Sequence, residues 1–491
     1  MKKIKYPSLF QVNTRVWLRE LSGSLDRRAT LDDIPDHALD GFKEKGFDWI
    51  WMLSVWATGP QGQAISRSRP EWRREFEETL PDLQEEDIEG SGFAIAAYQV
   101  HPDLGGDEAL ARLRERLHQR GLKLMLDFVP NHMGPDHTWV HEHPEYFVSG
   151  TERDIEVNPS NYTRVRSGGS ECILAYGRDP YFGGWPDTLQ LDYSNPLVIK
   201  VMQQELLRIS GQCDGLRCDM AMLILPEVFY KTWGRSAQSF WPGAIGEVRR
   251  QQPDFCFLAE VYWDMEWTLQ QEGFDYAYDK RLYDRLCAGH AIQVREHFKA
   301  VPEYQDKLAR FLENHDDARV AATLDRGQHE AAAIITYLST GLRFFHQGQL
   351  EGKQKRISPH LVRGPHEESD VTLQKFYTSL LAVMQRPVFR QGSWQLLECT
   401  SAWDGNPSWD SFIAFAWQGP DRELVLVVIN YAPHDGQCYL RMPVSERAFG
   451  QWQLHDLMSG VTYDRNGNDL LSKGLYLGMS AWQYHIFEVR K

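Results

Sequence analysis

The sequence predicts an α/β protein, a (β/α)8 TIM barrel with a small insert after strand 3 and a C-terminal antiparallel β-sandwich. Between Asp48 and about Gly348, eight short apolar runs alternate with helical patterns. Continuous apolar character is typical of parallel strands that are buried on both faces. Eight βα units over roughly 300 residues match the size of such a barrel with insertions. After about Arg390, short alternating runs separated by turn residues predict the sandwich.

Each predicted element follows from a local pattern. The helix over 106–121 has apolar residues at helical spacing and ends at a glycine. The charged stretch between 56 and 96 predicts a helix and a mobile loop. The segment 130–195 is rich in Pro, Gly, Asn, Tyr and Trp and is too long for a simple loop, which predicts a small excursion domain. The predicted barrel strands are 48–55, 96–100, 122–129, 215–221, 255–261, 274–279, 308–314 and 341–348.

These elements divide the chain into three predicted domains. The catalytic barrel comprises residues 1–129 and 196–390, and the inserted small domain B comprises 130–195. The C-terminal sandwich comprises 391–491. No internal repeat or low-complexity segment interrupts this plan.

Composition narrows the partners and the compartment. A formal net charge of −15 disfavours nucleic acid and anionic membranes as partners. A neutral small-molecule carbohydrate is indifferent to this charge, and abundant aromatic side chains suit its binding. Seven scattered cysteines without a CxxC pair favour reduced thiols, and there is neither a signal-type apolar segment nor a membrane-length apolar run, so we expect a cytoplasmic protein. The sequence leaves the oligomeric state open.

The stretch GLRCDMA carries the first candidate for chemistry. In a strand, Arg217 and Asp219 point to the same side, because side chains alternate with a period of two. A guanidinium beside a carboxylate keeps it ionised and aims its oxygens, which a carboxylate nucleophile requires. The alternative is a structural ion pair at the end of a strand.

Other acids follow other predicted strands. Asp127, Glu260 and Asp316 each lie at or just past the C-terminal end of a strand, on the face where barrel enzymes build their sites. Carboxylates that converge there separate into an ionised and a protonated group. We assign Asp219 as nucleophile, Glu260 as acid and Asp316 as the group that favours a distorted sugar ring. Two carboxyls about 5–5.5 Å apart would give a retaining glycosidase. Solvated charges at strand ends are the alternative.

Four segments, LMLDFVPNH, GLRCDMA, AEV and ENHDD, resemble in order the four short sequence regions of the α-amylase family of glycoside hydrolases (glycoside hydrolase family 13). The resemblance implies catalytic roles for Asp219, Glu260 and Asp316. It implies sugar contacts for Arg217, His132 and His315, and a supporting role for Asp127. The segment 92–98 resembles the second strand of the family, which would make Phe93 a stacking ring. The segment 189–196 resembles a fifth region.

Two tryptophans are further candidates for sugar contact. Trp263 follows Glu260 closely, and Trp185 lies in the predicted excursion loop, so either ring could serve as a platform for a sugar. Packing in the core is the alternative for both.

The chain also departs from the family pattern. Met222 and Leu223 stand where many α-amylases carry Lys and His, and Ala97 stands where an Asp often precedes the second-strand tyrosine. Gln190 replaces an Asp that binds calcium in many relatives, which leaves Asn131 as the one retained ligand type. We therefore expect no cofactor and doubt a structural Ca²⁺.

The leading functional hypothesis is a retaining α-glucosidic hydrolase of the α-amylase or α-glucosidase type. It would cleave maltooligosaccharides or a related α-glucoside through a covalent glycosyl-enzyme intermediate. A transglycosylase that moves a glucosyl unit to a sugar or polyol shares this intermediate and is the alternative. A catalytically silent sugar-binding relative is the third hypothesis. The sequence does not separate endo from exo action or assign the linkage.

Overall fold

The structure is a computed structural model that describes residues 4–167, 169–421, 423–443 and 450–491. The first three residues of the predicted barrel, residue 168 of predicted domain B and seven residues of the predicted sandwich lie outside the described residues.

Eight parallel strands close into a barrel, which confirms the predicted fold class. The first barrel strand pairs with both the second and the eighth and so closes the ring, with Phe10 opposite Phe345 in the register. The barrel strands are β1 Ser8–Asn13, β2 Trp49–Leu53, β3 Lys123–Phe128, β4 Gly215–Cys218, β5 Cys256–Ala259, β6 Tyr276–Tyr278, β7 Leu308–Arg310 and β8 Leu342–His346.

Two strand predictions were wrong. The run predicted at 96–100 is not a barrel strand; the strand Ile95–Val100 pairs antiparallel with Trp56–Thr58 outside the barrel. The first barrel strand, Ser8–Asn13, was missed because Ser, Gln and Asn interrupt its apolar pattern, although all six residues are buried. One strand was missed and one was wrongly included, so the predicted number of barrel strands is still eight and the long excursion still follows the third of them.

Helices surround the barrel and connect its strands. The helix Gly106–Gln119 buries Ala109, Leu110, Leu113 and Leu117 at helical spacing, as its sequence pattern predicts. The other main helices of the barrel layer are Thr14–Leu25, Asp36–Glu44, Pro196–Ser210, Pro226–Trp233, Trp241–Gln251, Glu266–Glu272, Lys280–Cys287, Ala291–His297, Arg326–Tyr337, Val371–Met384 and Pro387–Gln391. Short helical turns are Leu31–Asp33, Pro102–Leu104, Ala221–Ile224, Pro302–Gln305 and Val320–Thr323.

Two excursions rise above the C-terminal end of the strands. The charged stretch after β2 forms two helices, Pro60–Ser68 and Pro70–Thr79, and a turn, Glu85–Asp87, rather than one helix and a loop. Phe76, Leu80, Ile88 and Leu361 form a small core beneath it. The excursion after β3 contains the helical segments Trp139–Glu142, Pro144–Tyr146 and Glu152–Val157 and the paired strands His132–Met133 with Leu189–Gln190 and Tyr162–Ser167 with Ser170–Ala175.

The C-terminal part consists of two antiparallel sheets with an apolar core between them. It docks on the barrel partly through Trp417, whose Nε1 donates to the carbonyl of Leu338 at 2.7 Å. The six-stranded sheet contains Ser393–Leu396, Phe412–Gln418, Leu424–Asn430, Gln451–Asp456, Thr462–Asn466 and Tyr484–Arg490, and the three-stranded sheet contains Cys399–Ser401, Gly436–Leu440 and Leu475–Met479. The turns Ser408–Ser411 and Gly467–Ser472 are helical.

Within the described ranges, no helix combines the length and the apolar character that crossing a bilayer requires.

Candidate active site

The predicted acids lie at the C-terminal mouth of the barrel. Asp219 and Glu260 immediately follow β4 and β5, and each backbone N–H extends the strand ladder. The N–H of Asp219 donates to Phe128 at 2.8 Å, and that of Glu260 donates to Cys218 at 3.0 Å. These bonds fix where both carboxyl groups leave the barrel wall.

Arg217 joins the two carboxyl groups. Its Nη1 donates to Asp219 Oδ1 at 2.7 Å, and its Nη2 lies 2.7 Å from Glu260 Oε2. The guanidinium is fully buried, and the rings of Trp51, Phe93 and Tyr278 lie 5.3, 5.3 and 5.8 Å from its centre. One buried cation therefore contacts and orients two neighbouring acids.

The two oxygens of Glu260 have different partners. Oε2 accepts the backbone N–H of Met220 at 2.7 Å and faces Arg217, whereas Oε1 accepts the hydroxyl of Tyr262 at 2.9 Å. Burial raises the pKa of Glu260 to about 8, against the opposing charge of Arg217. Since Oε2 already faces two donors, a proton on this carboxyl group belongs on Oε1.

Backbone strain helps to build this arrangement. Met220 has a φ of 39°, a left-handed conformation that a residue with a side chain adopts at a cost in free energy. The conformation turns its N–H toward Glu260. Trp263 and Asp264, which follow Glu260 closely, have φ values of 62° and 64°. Left-handed residues thus follow each of the two acids within four positions.

Asp316 is the exposed member of the group, with 44% of its side chain accessible. The Oδ1 of Asn314 accepts the backbone N–H of Asp316 at 2.8 Å and that of Asp317 at 2.9 Å, which forms a tight turn after β7. Oδ2 of Asp316 lies 3.1 Å from His315 Nε2. The turn therefore presents a carboxylate that contacts His315 and remains largely open to solvent.

His315 is held as a neutral ring. Burial lowers its pKa to about 4. Gln11 Nε2 can only donate, so the 2.9 Å contact makes His315 Nδ1 the acceptor and leaves the proton on Nε2, toward Asp316. Phe93 stacks on His315 with ring centroids 5.4 Å apart. Phe93 lies in the loop before Ile95–Val100, beside Arg217, and its role as a stacking ring for a sugar stays a prediction.

His132 and Trp185 come together on the excursion after β3. Their ring centroids are 5.5 Å apart, and burial lowers the pKa of His132 to about 4, so its imidazole is neutral. Asp127 lies deeper: its Oδ1 accepts Trp51 Nε1 at 3.0 Å and its Oδ2 accepts the N–H of Ser54 at 2.9 Å. These bonds tie β3 to the end of β2.

The predicted platform Trp263 lies at the rim. Its ring centroid is 5.0 Å from that of Tyr181, which is 56% exposed and accepts Lys231 Nζ at 2.7 Å. Sequence reasoning missed the contributions of Tyr181, Tyr262, Met220 and Gln11. Tyr262 follows Glu260 by two residues and could have been found by the period of an extended strand, whereas Gln11 sits on the strand that was missed.

Two positions at which this chain differs from the pattern of many α-amylases, Met222 and Leu223, point into the hydrophobic core. Met222 and Leu223 lie in the turn Ala221–Ile224 and are buried. Trp241 Nε1 donates to Ala221 at 2.9 Å and anchors the turn. These side chains pack against the core and do not supply a charged contact for a sugar.

At the position where many α-amylases bind calcium, the residues of this chain do not fit a cation. Gln190 Nε2 donates to the carbonyl and the Oδ1 of Asn131, both at 2.9 Å, and lies 3.1 Å from the carbonyl of Leu191. Three oxygens thus converge on an amide nitrogen, whose partial positive charge takes the place that an ion would occupy. Gln190 and Asn131 are both buried. The arrangement favours a calcium-independent fold.

We expect the melting temperature of the wild type to be the same in EDTA and in Ca²⁺. In the variant Gln190→Asp, the shorter carboxylate leaves room for an ion among the three oxygens, so Ca²⁺ should raise its melting temperature by several degrees. Without the ion, the unpartnered buried oxygens should cost about 2 kcal/mol of unfolding free energy. Calorimetric melting measures both. Gln190→Asn, the matched control, should be destabilised without a calcium response, and stabilisation of the wild type by Ca²⁺ would contradict this interpretation.

Comparisons with known proteins identify the family of this chain. The model of the alpha amylase catalytic domain matches residues 30–372. Alpha-1,4-glucan:maltose-1-phosphate maltosyltransferase of Cereibacter sphaeroides is 28% identical over 252 residues, 50% of this chain and 35% of that protein. Alpha-amylase 3 of Dictyoglomus thermophilum is 22% identical over 306 residues, 57% of each chain. Alpha-glucosidase of Apis mellifera is 33% identical over 195 residues, 37% of this chain and 29% of that protein. The matched part therefore spans little more than half of these relatives at most.

Solved structures share the whole architecture. A noncanonic maltogenic alpha-amylase, AmyB, from Thermotoga neapolitana has a TM-score of 0.70 at 17% identity, with 99% of both chains covered. An alpha-amylase from Geobacillus thermoleovorans has a TM-score of 0.67 at 18% identity over 100% of both chains. At these identities the likeness establishes the fold.

Proposed function

This chain belongs to the α-amylase family, and we propose from that premise that it is a retaining α-glucosidic hydrolase. The observation that carries the proposal is the guanidinium of Arg217, which lies 2.7 Å from the nearest oxygen of both Asp219 and Glu260. A shared cation places an ionised nucleophile beside a carboxyl group that burial keeps protonated. Retaining glycosidases use such a pair.

In the first step, an oxygen of Asp219 attacks the anomeric carbon of the glucosyl unit. Glu260 gives its Oε1 proton to the glycosidic oxygen, so the leaving sugar departs as a neutral alcohol. Asp219 loses its charge when the neutral ester forms, and Glu260 becomes ionised as it gives up its proton, so the negative charge stays beside Arg217 throughout the step. Asp316, exposed at the opening, accepts sugar hydroxyls and favours the distorted ring.

In the second step, the ionised Glu260 takes a proton from water, which attacks the glycosyl-enzyme ester and releases Asp219. The hydroxyl of Tyr262 donates to Oε1 and stabilises this ionised state. The overall result is hydrolysis with retention, and the acid regains its proton for the next cycle.

We propose maltooligosaccharides or a related α-glucoside as substrate. The neutral imidazoles of His132 and His315 can exchange hydrogen bonds with neutral hydroxyls, and Phe93 and Trp185 supply apolar ring faces beside them. Tyr181 and Trp263 add an aromatic pair at the rim. Polar groups interleaved with aromatic rings suit an uncharged sugar.

The test is a product profile on maltooligosaccharides, sucrose and trehalose, with the anomeric form of the first product read by NMR. We expect cleavage of an α-glucosidic bond with the α-anomer released first. Release of the β-anomer would overturn the retaining mechanism. Unchanged substrates across a wider panel of α-glucosides would support the silent sugar-binding alternative instead.

Glucosyl transfer to a sugar or polyol is the second candidate. Met222 and Leu223 are buried, so they supply no charged contact where many α-amylases carry Lys and His, and the rim pair Tyr181 and Trp263 can stack an acceptor sugar. The resemblance to a maltosyltransferase over half of the chain agrees with this alternative. Product analysis at rising acceptor concentration separates the two: transfer products that replace glucose support the transferase, and their absence at high acceptor concentration excludes it.

We expect the hydroxyl of Tyr262 to set the basic limb of the pH profile. Glu260 acts as acid only while protonated, so kcat/KM should fall as the pH rises through about 8. Tyr262 donates to Oε1 and thereby favours the ionised form, so Tyr262→Phe should raise the pKa and move this limb upward by about half to one pH unit. Tyr230→Phe, at an exposed position, is the matched control. An unchanged limb, or a downward shift, would contradict the assignment.

A further inference from the structure

A cleft of about 610 Å³, whose lining includes none of the catalytic acids, lies along one face of the helix Thr14–Leu25. Arg15, Leu18, Arg19 and Ser22 line it at helical spacing. Parts of the loops around 86–89 and 101–104 form the facing wall. The volume suits a small ligand.

The cleft is rich in arginine. Five arginines and four carboxylates line it, although the protein as a whole carries a net charge of −15. Arg27 pairs with Asp33, which lies outside the cleft, and Arg28 pairs with Asp103. The lining arginines are Arg15, Arg19, Arg27, Arg28 and Arg67.

Arg15 is 6% exposed, yet in the described parts of the chain it has no carboxylate oxygen within 4 Å. Its guanidinium donates to the carbonyl of Gly90 at 2.9 Å and to Thr58 Oγ1 at 3.3 Å, both neutral acceptors. Across the same described ranges, Arg19 forms no ion pair, and Arg67 has a single distant one, 3.9 Å from Glu85. Glu89 is near enough for its charge to favour the charged form of Arg15, but it forms no direct ion pair with it. Burying a guanidinium without a direct ion pair is costly, so an anion in the cleft would reduce this cost.

The facing wall offers partners for hydroxyl groups. One ligand atom each of Glu89, His101 and Asp103 lies within 4.8 Å of the others. A metal ion there would face Arg28, which is paired with Asp103, and the positive charge of Arg15 near Glu89. Since His101 Nδ1 accepts the N–H of Asp103 at 3.2 Å, Nε2 carries the proton and donates. Two carboxylate acceptors and one donor suit the hydroxyls of a sugar.

We propose that this cleft binds a phosphorylated sugar. Arg15, Arg19 and Arg67 hold the phosphate, for which the guanidinium fork is well shaped. Glu89, His101 and Asp103 hold the hydroxyls. The site is distinct from the catalytic one, although Glu89 lies only four residues before Phe93, so binding at the two sites must be measured separately.

Isothermal titration calorimetry on the full chain with glucose 6-phosphate tests the proposal. This probe has no glycosidic bond to be cleaved. We expect it to bind the wild type and the variant Asp219→Asn equally. Arg19→Ala and Glu89→Gln should each weaken binding by about tenfold or more, because each removes a charged partner. Arg112→Ala, which removes an exposed arginine of another helix, is the matched control and should bind normally. Thermal melting verifies that each variant folds.

Four outcomes would overturn the proposal. Absence of binding at millimolar probe excludes the site, and loss of binding in Asp219→Asn places the probe in the catalytic cleft. Equal affinity for inorganic phosphate and glucose 6-phosphate would reduce the site to a phosphate site without sugar contacts. Binding of Mg²⁺ or Ca²⁺ that Glu89→Gln abolishes would make it a metal site.

Discussion

We expect Asp219→Asn to lower kcat/KM on the preferred α-glucoside by about 10⁴-fold or more, because an amide cannot attack the anomeric carbon. In the wild type, Arg217 Nη1 donates to Asp219 Oδ1 at 2.7 Å. Asparagine has the same size and keeps an oxygen that can accept this hydrogen bond, so the fold should survive. Steady-state kinetics with matched melting curves measure the effect. Asp317→Asn is the control. It changes the acid that follows Asp316 in the turn after β7, and it should keep most of the activity.

Chemical rescue separates a nucleophile from a structural partner of Arg217. In Asp219→Gly, azide can enter the space of the missing carboxylate and attack the anomeric carbon of an activated α-glucosyl fluoride. The product should be the β-glucosyl azide, because a single displacement inverts the anomeric centre. An Asp219→Asn variant with wild-type activity, or an α-glucosyl azide from the glycine variant, would refute the assignment.

Strands whose side chains are buried and apolar could be predicted from the sequence. The run around β3 is one example, since continuous apolar residues have few other stable places in a folded chain. The strand β1 could not be recognised this way because it contains the polar residues Ser8, Gln11 and Asn13. Gln11 and Asn13 are buried because their side chains bond to groups outside the strand, which the local sequence does not show. The amide of Gln11 contacts His315, and that of Asn13 caps the following helix.

The identity of the site residues could be proposed from spacing, but their connections could not. That Arg217 faces Asp219 follows from the strand period. That it also reaches Glu260 depends on the register between β4 and β5, which pairs Arg217 with Leu258. The hydrogen bond from the N–H of Met220 to Glu260 requires a left-handed backbone at Met220, and a methionine in the sequence gives no sign of that conformation. The carboxyl separation that defines a retaining pair, the domain boundaries and the cytoplasmic location stay predictions.

The second large effect concerns the acid. We expect Glu260→Gln to lower kcat for maltooligosaccharides by about 10³-fold, within the range for loss of a general acid, since their leaving group needs a proton. α-Glucosyl fluoride needs none, so its first step should be nearly unaffected. The amide oxygen should take the place of Oε2, where Met220 donates and Arg217 lies, which leaves the NH₂ group where Oε1 met Tyr262. The variant therefore imitates the protonated acid without its transferable proton.

The same variant also lacks the base of the second step, so glycosyl-enzyme should accumulate. Rapid mixing with α-glucosyl fluoride should give a fluoride burst of about one equivalent per active site, and mass spectrometry should find the glucosyl group on the peptide that contains Asp219. Asp264→Asn is the control, because it changes an exposed acid in a left-handed conformation that asparagine tolerates. If the rate of the fluoride burst falls as much as kcat for maltooligosaccharides, Glu260 does not donate the proton in the first step. If the label appears on a peptide that lacks Asp219, Asp219 does not form the ester, and its assignment as the nucleophile is wrong.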